Sequence, residues 1–539
     1  MRDLIRHFFA GFFDREALAP QGEPEANVTQ LLGFLAAPGA FIVLLLQLLH
    51  SFRGWDLAEI RCFFISVSMI VVGFLVVFEW DALFPDRRDY QILTPLPVGL
   101  FRLFLAKALA FALFVAIFLA DVNFFSTLLW PAIDSAPGLL GTFAAHLAAV
   151  MMGGLFAALS MAAVQGVLIV ALPATAFRRV SVWLQTALMF ALVMLLFLSP
   201  ALAPMLRGLI RQHSPWLHAY PPYWFAGFYE RLRPAVGNSA LLRLGNWAVW
   251  GLAGAAALFV LTYLPGYRRL ARKVLEAPQP SPSGPSWWQQ VAGSWIDRRI
   301  LREPVQIAVF HFINQTITRS TKHRLFLATY AGCGGALAVL TSSWGRNGLL
   351  VLPLTLSFIL ISALRAAFNF PSELGANWAF QVSECRHLRD CLRAMRKWTV
   401  LCAIGPLIAA QAAMESRYFA WTSALFHLAF GLTMAVLLME IMFVGFRKVP
   451  FTCSYFPGKV NLVFLTLIYV LGFTIYSGTM VSLELWLAGR PGWAAAFFGG
   501  AGAVSASIAW WRDCHLDSES FLEYQDAGDP VVRTLELSA

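Results

Sequence analysis

Asp86, Arg87, Arg88, Asp89 and Tyr90 put two carboxylates, two guanidiniums and a phenol in five consecutive positions of the run PDRRDYQILTPLP (85–97). Charge this dense is costly in hydrocarbon, so the run belongs in water. Asp86 to Asp89 can open a short helix, and Pro95 and Pro97 stiffen the chain that follows. Such a compact, rigid, charged element suits the docking of a soluble partner; the alternative is a solvated loop of stop-transfer charges. The run FPSELGANWAFQVSECRHLRDCLRAMRKW (370–398) is a second object of this kind. In it Glu373, Asn377 and Trp378 combine a polar rim with an aromatic anchor, the mix of a contact patch. Arg386, Arg389, Arg393 and Arg396 then recur at helical spacing, which suits docking or attraction to anionic lipid.

Other candidates are weaker. RKVPFTCSYFPGK (447–459) has the prolines and glycine of an ordered turn, but its Gly-Lys is no phosphate loop. The pattern G-x-x-x-x-G-K-[ST] needs Gly at 453 and Ser or Thr at 460, where Cys453 and Val460 stand. HSPWLHAYPPYWFAGFYERL (213–232) gathers aromatics and prolines, among them Tyr220, Pro221, Pro222, Trp224 and Phe225. It reads either as an aromatic belt at the membrane boundary or as a re-entrant lid over an exit path. Inside apolar runs the ionisable or strongly polar residues are Asp121 with Asn123, His146, His427 and Glu440, each expected to make an interhelical polar contact, while Lys107 can snorkel. The 7 cysteines form no C-x-x-C and no zinc-ligand spacing with histidine, so no metal or redox site is expected. No hydrolase or protease motif occurs.

These residues must be positioned by a membrane protein. Of 539 residues 59% are hydrophobic and 13% charged, and mean hydropathy is +0.66. Soluble domains carry roughly 25% charged residues. A net charge of +10 would raise nucleic acid as a partner in a soluble chain. Here the basic residues gather in short loops between apolar runs, as topology determinants do, so no nucleic acid is expected. Runs long enough to cross a bilayer lie at about 31–50, 62–79, 103–131, 142–173, 182–206, 245–265, 325–344, 349–369, 398–415, 420–444, 460–487 and 493–511. The lysine and arginine bias of the loops places both termini in the cytoplasm. One loop dissents, since 207–244 carries five arginines on the outer side. At the N-terminus Leu4, Ile5, Phe8, Phe9, Phe12 and Phe13 form the apolar stripe of a helix that lies in the interface or packs on the protein itself.

The Pro/Ser/Gly stretch APQPSPSGPS (277–286) divides the chain. The expected organisation is an interfacial N-terminal segment (1–30), a first six-span half (31–270), a cytoplasmic linker and basic segment (271–324), a second six-span half (325–511) and a cytoplasmic tail (512–539). The fold class is all-α, a polytopic membrane protein of about twelve transmembrane helices. Its two six-helix halves are expected to be related by a pseudo-twofold axis along the membrane normal.

The unit F-E-W-D-A-L-F-P-D-R-R-D-Y with Leu93, Pro95, Leu96 and Pro97, followed by Ala106-Lys107, resembles the first cytoplasmic loop of type-2 ABC transporter permeases. FPSELGANW, PFTCSYFPGK and YPPYWFAGFYE (220–230) extend the resemblance to the large fused bacterial members of that group. The resemblance implies a permease subunit of an ATP-driven exporter in a bacterial inner (plasma) membrane. It implies that Asp86, Arg87, Arg88, Asp89, Tyr90, Glu373, Asn377 and Trp378 contact separate nucleotide-binding ATPase subunits, and that the outer segment is re-entrant. ATP and magnesium would then belong to the partner, with no cofactor and no catalysis in this chain. Because the chain carries both halves, a single copy could serve two ATPase subunits. Membrane lipid is the other expected partner, and the transported substrate is not readable. The rival is a 6+6 ion-driven secondary transporter, although no proton-relay carboxylate paired with Arg or Lys is visible; a membrane-embedded enzyme is the third reading.

Overall fold

The computed structural model describes residues 1–13, 54–80, 83, 99–134, 138–212, 214–233, 239–276, 293, 295–301, 303–378, 388–446, 448–453 and 462–519. Every regular element among them is helical, as a bilayer demands of backbone that cannot hydrogen-bond to solvent. Eleven helices are long and apolar enough to cross a membrane. They overlap eleven of the twelve runs expected from sequence, although the spans that begin at Thr175 and Leu388 start seven and ten residues ahead of the expected runs 182–206 and 398–415, and the span from Leu467 starts seven residues inside 460–487; the run 31–50 lies outside the described residues.

The helices belong to two compact units, divided between Gln279 and Pro280. The first contains α1 (Arg2–Phe13), α2 (Leu57–Phe78), α3 (Leu100–Ile133), α4 (Leu139–Ala171), α5 (Ala174–Leu202), α6 (Met205–Arg211), α7 (Pro221–Leu232) and α8 (Ser239–Glu276). α2 is the enclosed helix of this unit, with α3, α4, α5 and α7 packed around it. Its polar residues are satisfied across helices: Asn123 Nδ2 on α3 donates to Ser68 Oγ (2.9 Å), and Ser68 Oγ donates to the Val150 carbonyl on α4 (3.2 Å). The expected polar contact of Asn123 is therefore real, and it fixes the rotation of α3 against α2.

The apolar stripe of α1 is used on the protein itself. Leu4, Phe8 and Phe12 are buried against α3, where the Phe12 and Phe114 rings stack at 4.7 Å. Lys107 does not snorkel; it is buried, with its ammonium 5.2 Å from the centre of the Phe8 ring.

α7 and α8 approach closely because two glycines face each other. A Cβ at Gly227 would stand 2.3 Å from the Leu241 carbonyl, and one at Gly245 would stand 2.8 Å from the Gly227 carbonyl. This is the small-residue contact that lets membrane helices touch backbone to backbone. Gly227→Val is expected to lower stability by about 1–3 kcal/mol through overpacking. Gly254→Ala, with nothing within 4 Å, is expected to leave the melting temperature of the purified chain in detergent unchanged. Equal melting of the two variants would contradict the close crossing.

The second unit contains α9 (Pro304–Arg319), α10 (Thr321–Ser342), α11 (Arg346–Ala367), α12 (Leu388–Trp398), α13 (Gly405–Glu415), α14 (Trp421–Met442), α15 (Leu462–Ala488) and α16 (Pro491–Glu519). A π-helical stretch, Thr399–Ile404, joins α12 to α13 as one span, just ahead of Pro406, which has no N–H to continue an α pattern.

Candidate functional site

Asp86, Arg87, Arg88, Asp89 and Tyr90 lie outside the described residues. The helix end that leads to them is locked. Carbonyls at a helix C-terminus lack intrahelical partners, and here side chains from neighbouring spans supply them. Gln185 Nε2 on α5 donates to the Val77 carbonyl (2.9 Å), Gln165 Nε2 on α4 donates to the Trp80 carbonyl (2.7 Å), and Trp80 Nε1 donates to Ser181 Oγ (2.9 Å). The stretch after α2 therefore starts from a fixed point.

In the second unit the turn after α11 and the turn after α14 are tied together. Phe451 N–H donates to the Phe368 carbonyl and Ser372 N–H to the Phe451 carbonyl, both at 3.0 Å. Phe451 holds a φ of +68°, a conformation costly for a bulky residue and retained only where its surroundings dictate it. Those surroundings are the rings of Phe368, His323 and Phe312, with centres 5.4, 4.7 and 6.2 Å away. Asn377 Nδ2 donates to the Thr452 carbonyl (2.7 Å), and His323 Nε2 lies 2.9 Å from the Phe370 carbonyl. Of the three expected contact residues, Asn377 is thus a buried strut, while Glu373 and Trp378 are exposed on the platform it braces.

The arginines of α12 are engaged inside the unit. Arg396 pairs with Glu440, which is 0% exposed, and Arg512 Nη1 on α16 approaches the other Glu440 oxygen at 3.2 Å. Arg393 Nη2 meets Asp513 at 2.9 Å, and Lys397 Nζ donates to the Ile300 carbonyl (2.8 Å) and Gln306 Oε1 (2.6 Å). The basic stripe therefore stitches α12 to α9, α14 and α16. Arg386 lies outside the described residues.

The aromatic run gathers into α7 and its approach. Pro221 and Pro222 occupy the first helical turn, where a missing N–H costs nothing. Phe225 is fully buried, Trp224 packs on Phe156 and Trp247, and the Tyr220 hydroxyl donates to Ser66 Oγ on α2 (3.0 Å). Burial pushes the phenols of Tyr220, Tyr223 and Tyr229 above their ordinary range, so all three remain protonated donors. At 12 residues α7 spans only about 18 Å, too short to cross.

What holds α7 in place was not legible in sequence. Arg61, 4% exposed near the start of α2, pairs with Glu230 of α7 and stands 3.7 Å from Asp134 at the end of α3. Its guanidinium carbon lies 3.6 Å from the centre of the Tyr229 ring. Tyr229 in turn donates to Asp134 Oδ2 (2.7 Å) and accepts from Trp130 Nε1 (3.3 Å). His146 stacks on Trp130 at 4.5 Å, and neither ring nitrogen makes a hydrogen bond. The expected polar contact of His146 is therefore a stacking contact.

A further cluster lies in the second unit, where His427 stands between Glu484 and Glu415. Among the described residues no group of three or more His, Cys, Asp or Glu side chains is arranged to hold a metal ion. Comparison of the chain with protein-family models, with curated proteins and with solved structures finds no match. The described helices make the chain an all-helical, multi-pass membrane protein of transporter-like build.

Proposed function

We propose that the chain is the membrane-spanning permease subunit of an ATP-driven exporter of the type-2 ABC kind, working with separate ATPase subunits at a bacterial plasma membrane. The observation that carries the reading is α7, a short aromatic helix inserted among the ends of α2, α4 and α8 and clamped by Arg61. A re-entrant element of this kind at the outer mouth of a helical bundle suits a gated exit path, and it coincides with one of the motifs on which the family resemblance rests. The exposed Glu373 and Trp378 of the second unit, on a platform braced by Asn377 and Phe451, suit a cytoplasmic docking surface. Asp86, Arg87, Arg88, Asp89 and Tyr90 would form its counterpart in the first half. Hydrolysis in the partner would move these surfaces, and the spans of each half would follow as rigid bodies.

The test is purification of the tagged chain from native membranes in mild detergent, with ATPase activity measured in the eluate. A nucleotide-binding subunit and ATPase activity are expected with the native chain, and both are expected to be lost when Asp86, Arg87 and Arg88 are replaced together by alanine. A chain recovered alone and inactive sinks the proposal. A second reading, ion-driven transport, is favoured by the buried Glu415, His427 and Glu484 cluster, and that outcome would hand the case to it.

A further inference from the structure

We propose that Glu415, His427 and Glu484 form a buried proton-binding site that exchanges one proton with the medium as pH crosses the physiological range. The proposal depends on neither energy source for transport. Glu415 ends α13, His427 sits in the second turn of α14, and Glu484 sits one turn before the end of α15. Their exposures are 0%, 3% and 3%. The imidazole stands between the carboxylates: Nδ1 pairs with Glu484 Oε1, and Nε2 lies 3.4 Å from Glu415 Oε1.

Charge counting makes this a site rather than a static contact. With both carboxylates ionised and the imidazole protonated, the cluster carries one net negative charge in an apolar surrounding, which is costly. Among the described residues no lysine or arginine pairs with it. Of the nearby cations, Arg417 and Arg490 are exposed, and Arg490 lies over the Trp486 ring at 4.2 Å; the side chain of Arg346, which opens α11, lies outside those described. The packed stretches of α11 (348–362) and α16 (491–511) contain no charged residue. One added proton brings the cluster to neutrality.

A second observation points to an occupant. Gln411, one turn before Glu415 on the same helix face, is 3% exposed, and neither its amide oxygen nor its nitrogen makes a hydrogen bond. Both Glu415 oxygens and Glu484 Oε2 likewise make none. A protonated Glu415 would add a hydroxyl donor to a set in which four carboxylate and amide oxygens stand beside the single amide nitrogen of Gln411. No arrangement for a metal ion exists among the described residues, and a proton needs no coordination shell. Because the proton removes charge buried between α13, α14 and α15, its occupancy is linked to how these helices pack.

The test uses the full chain in lipid vesicles and infrared difference spectra as the medium is stepped from about pH 8 to about pH 5. The expected result is the carbonyl stretch of a buried carboxylic acid rising in one step. That band is expected to be lost in Glu415→Gln or Glu484→Gln and displaced by about one pH unit or more in His427→Gln. Should one glutamine variant fail to fold, the other and the native titration still decide. A native chain with no such band, variants that leave amplitude and midpoint unchanged, or a band that answers to added sodium instead of pH each overturn the proposal.

Discussion

Arg61→Leu is expected to destabilise the chain by about 3–5 kcal/mol, because it leaves Glu230 and Asp134 in a buried site without their shared cation. The apolar replacement preserves bulk, so packing loss contributes little and the effect isolates the ion cluster. Tyr229 also loses the guanidinium that lies 3.6 Å from its ring centre. The double variant Arg61→Leu, Glu230→Gln is expected to recover a large part of the loss, since it removes the orphaned charge as well as its partner. Thermal unfolding of the purified chain in detergent, followed by tryptophan fluorescence, gives both numbers and the coupling between the sites. Additive single effects would mean that the pair does not clamp α7. Proteolysis of the native and Arg61→Leu chains provides a local readout, with cleavage near α7 expected to appear in the variant before global unfolding.

Glu440→Gln is the second large expected effect, again about 3–5 kcal/mol, now from orphaning two cations. Arg512 is buried and Arg396 is a quarter exposed, so Arg512 accounts for most of the loss. Arg512→Met in the Glu440→Gln background is therefore expected to restore more stability than Arg396→Met does. Asp513→Asn serves as the contrast. Its arginine partners, Arg389 and Arg393, are more than a third exposed, so water compensates and the expected loss is about 0–1 kcal/mol. A Glu440 variant that melts with the Asp513 variant would overturn the assignment of the buried triad.

The two clusters show where reading the sequence stopped. Spanning helices are legible because an apolar run of the right length is a local property, and eleven of the expected runs match helices in the structure. Ion pairs are not local. Arg61 meets Glu230 across 169 positions, and it stands just outside the apolar run expected from residue 62, where it passes for a flanking charge. Glu415 and Glu484 stand near span ends in the same way, so His427 showed no partner until α13, α14 and α15 were placed together. The arginines of α12 have a helical period that fits lipid, a docking partner or internal carboxylates equally well. Only the positions of Glu440 and Asp513 decide among them. Asn377 shows the converse: a polar residue beside an exposed tryptophan reads as part of a contact patch, but its amide turns inward to the Thr452 carbonyl. The glycine pair of α7 and α8 could be read as composition, not as a crossing, until both backbones were in place.

The packing of α1 on α3 also bears on the order in which the protein is made. Phe12 leaves the ribosome about a hundred residues before Phe111 and Phe114, so at 5–20 residues per second α1 waits about 5–20 s for the surface it finally covers. An amphipathic helix with three buried-to-be apolar residues needs somewhere to rest during that interval, and the headgroup boundary of the bilayer provides it. On this timing α1 is expected to bind the bilayer surface first and to pack on α3 only after α3 has entered the membrane.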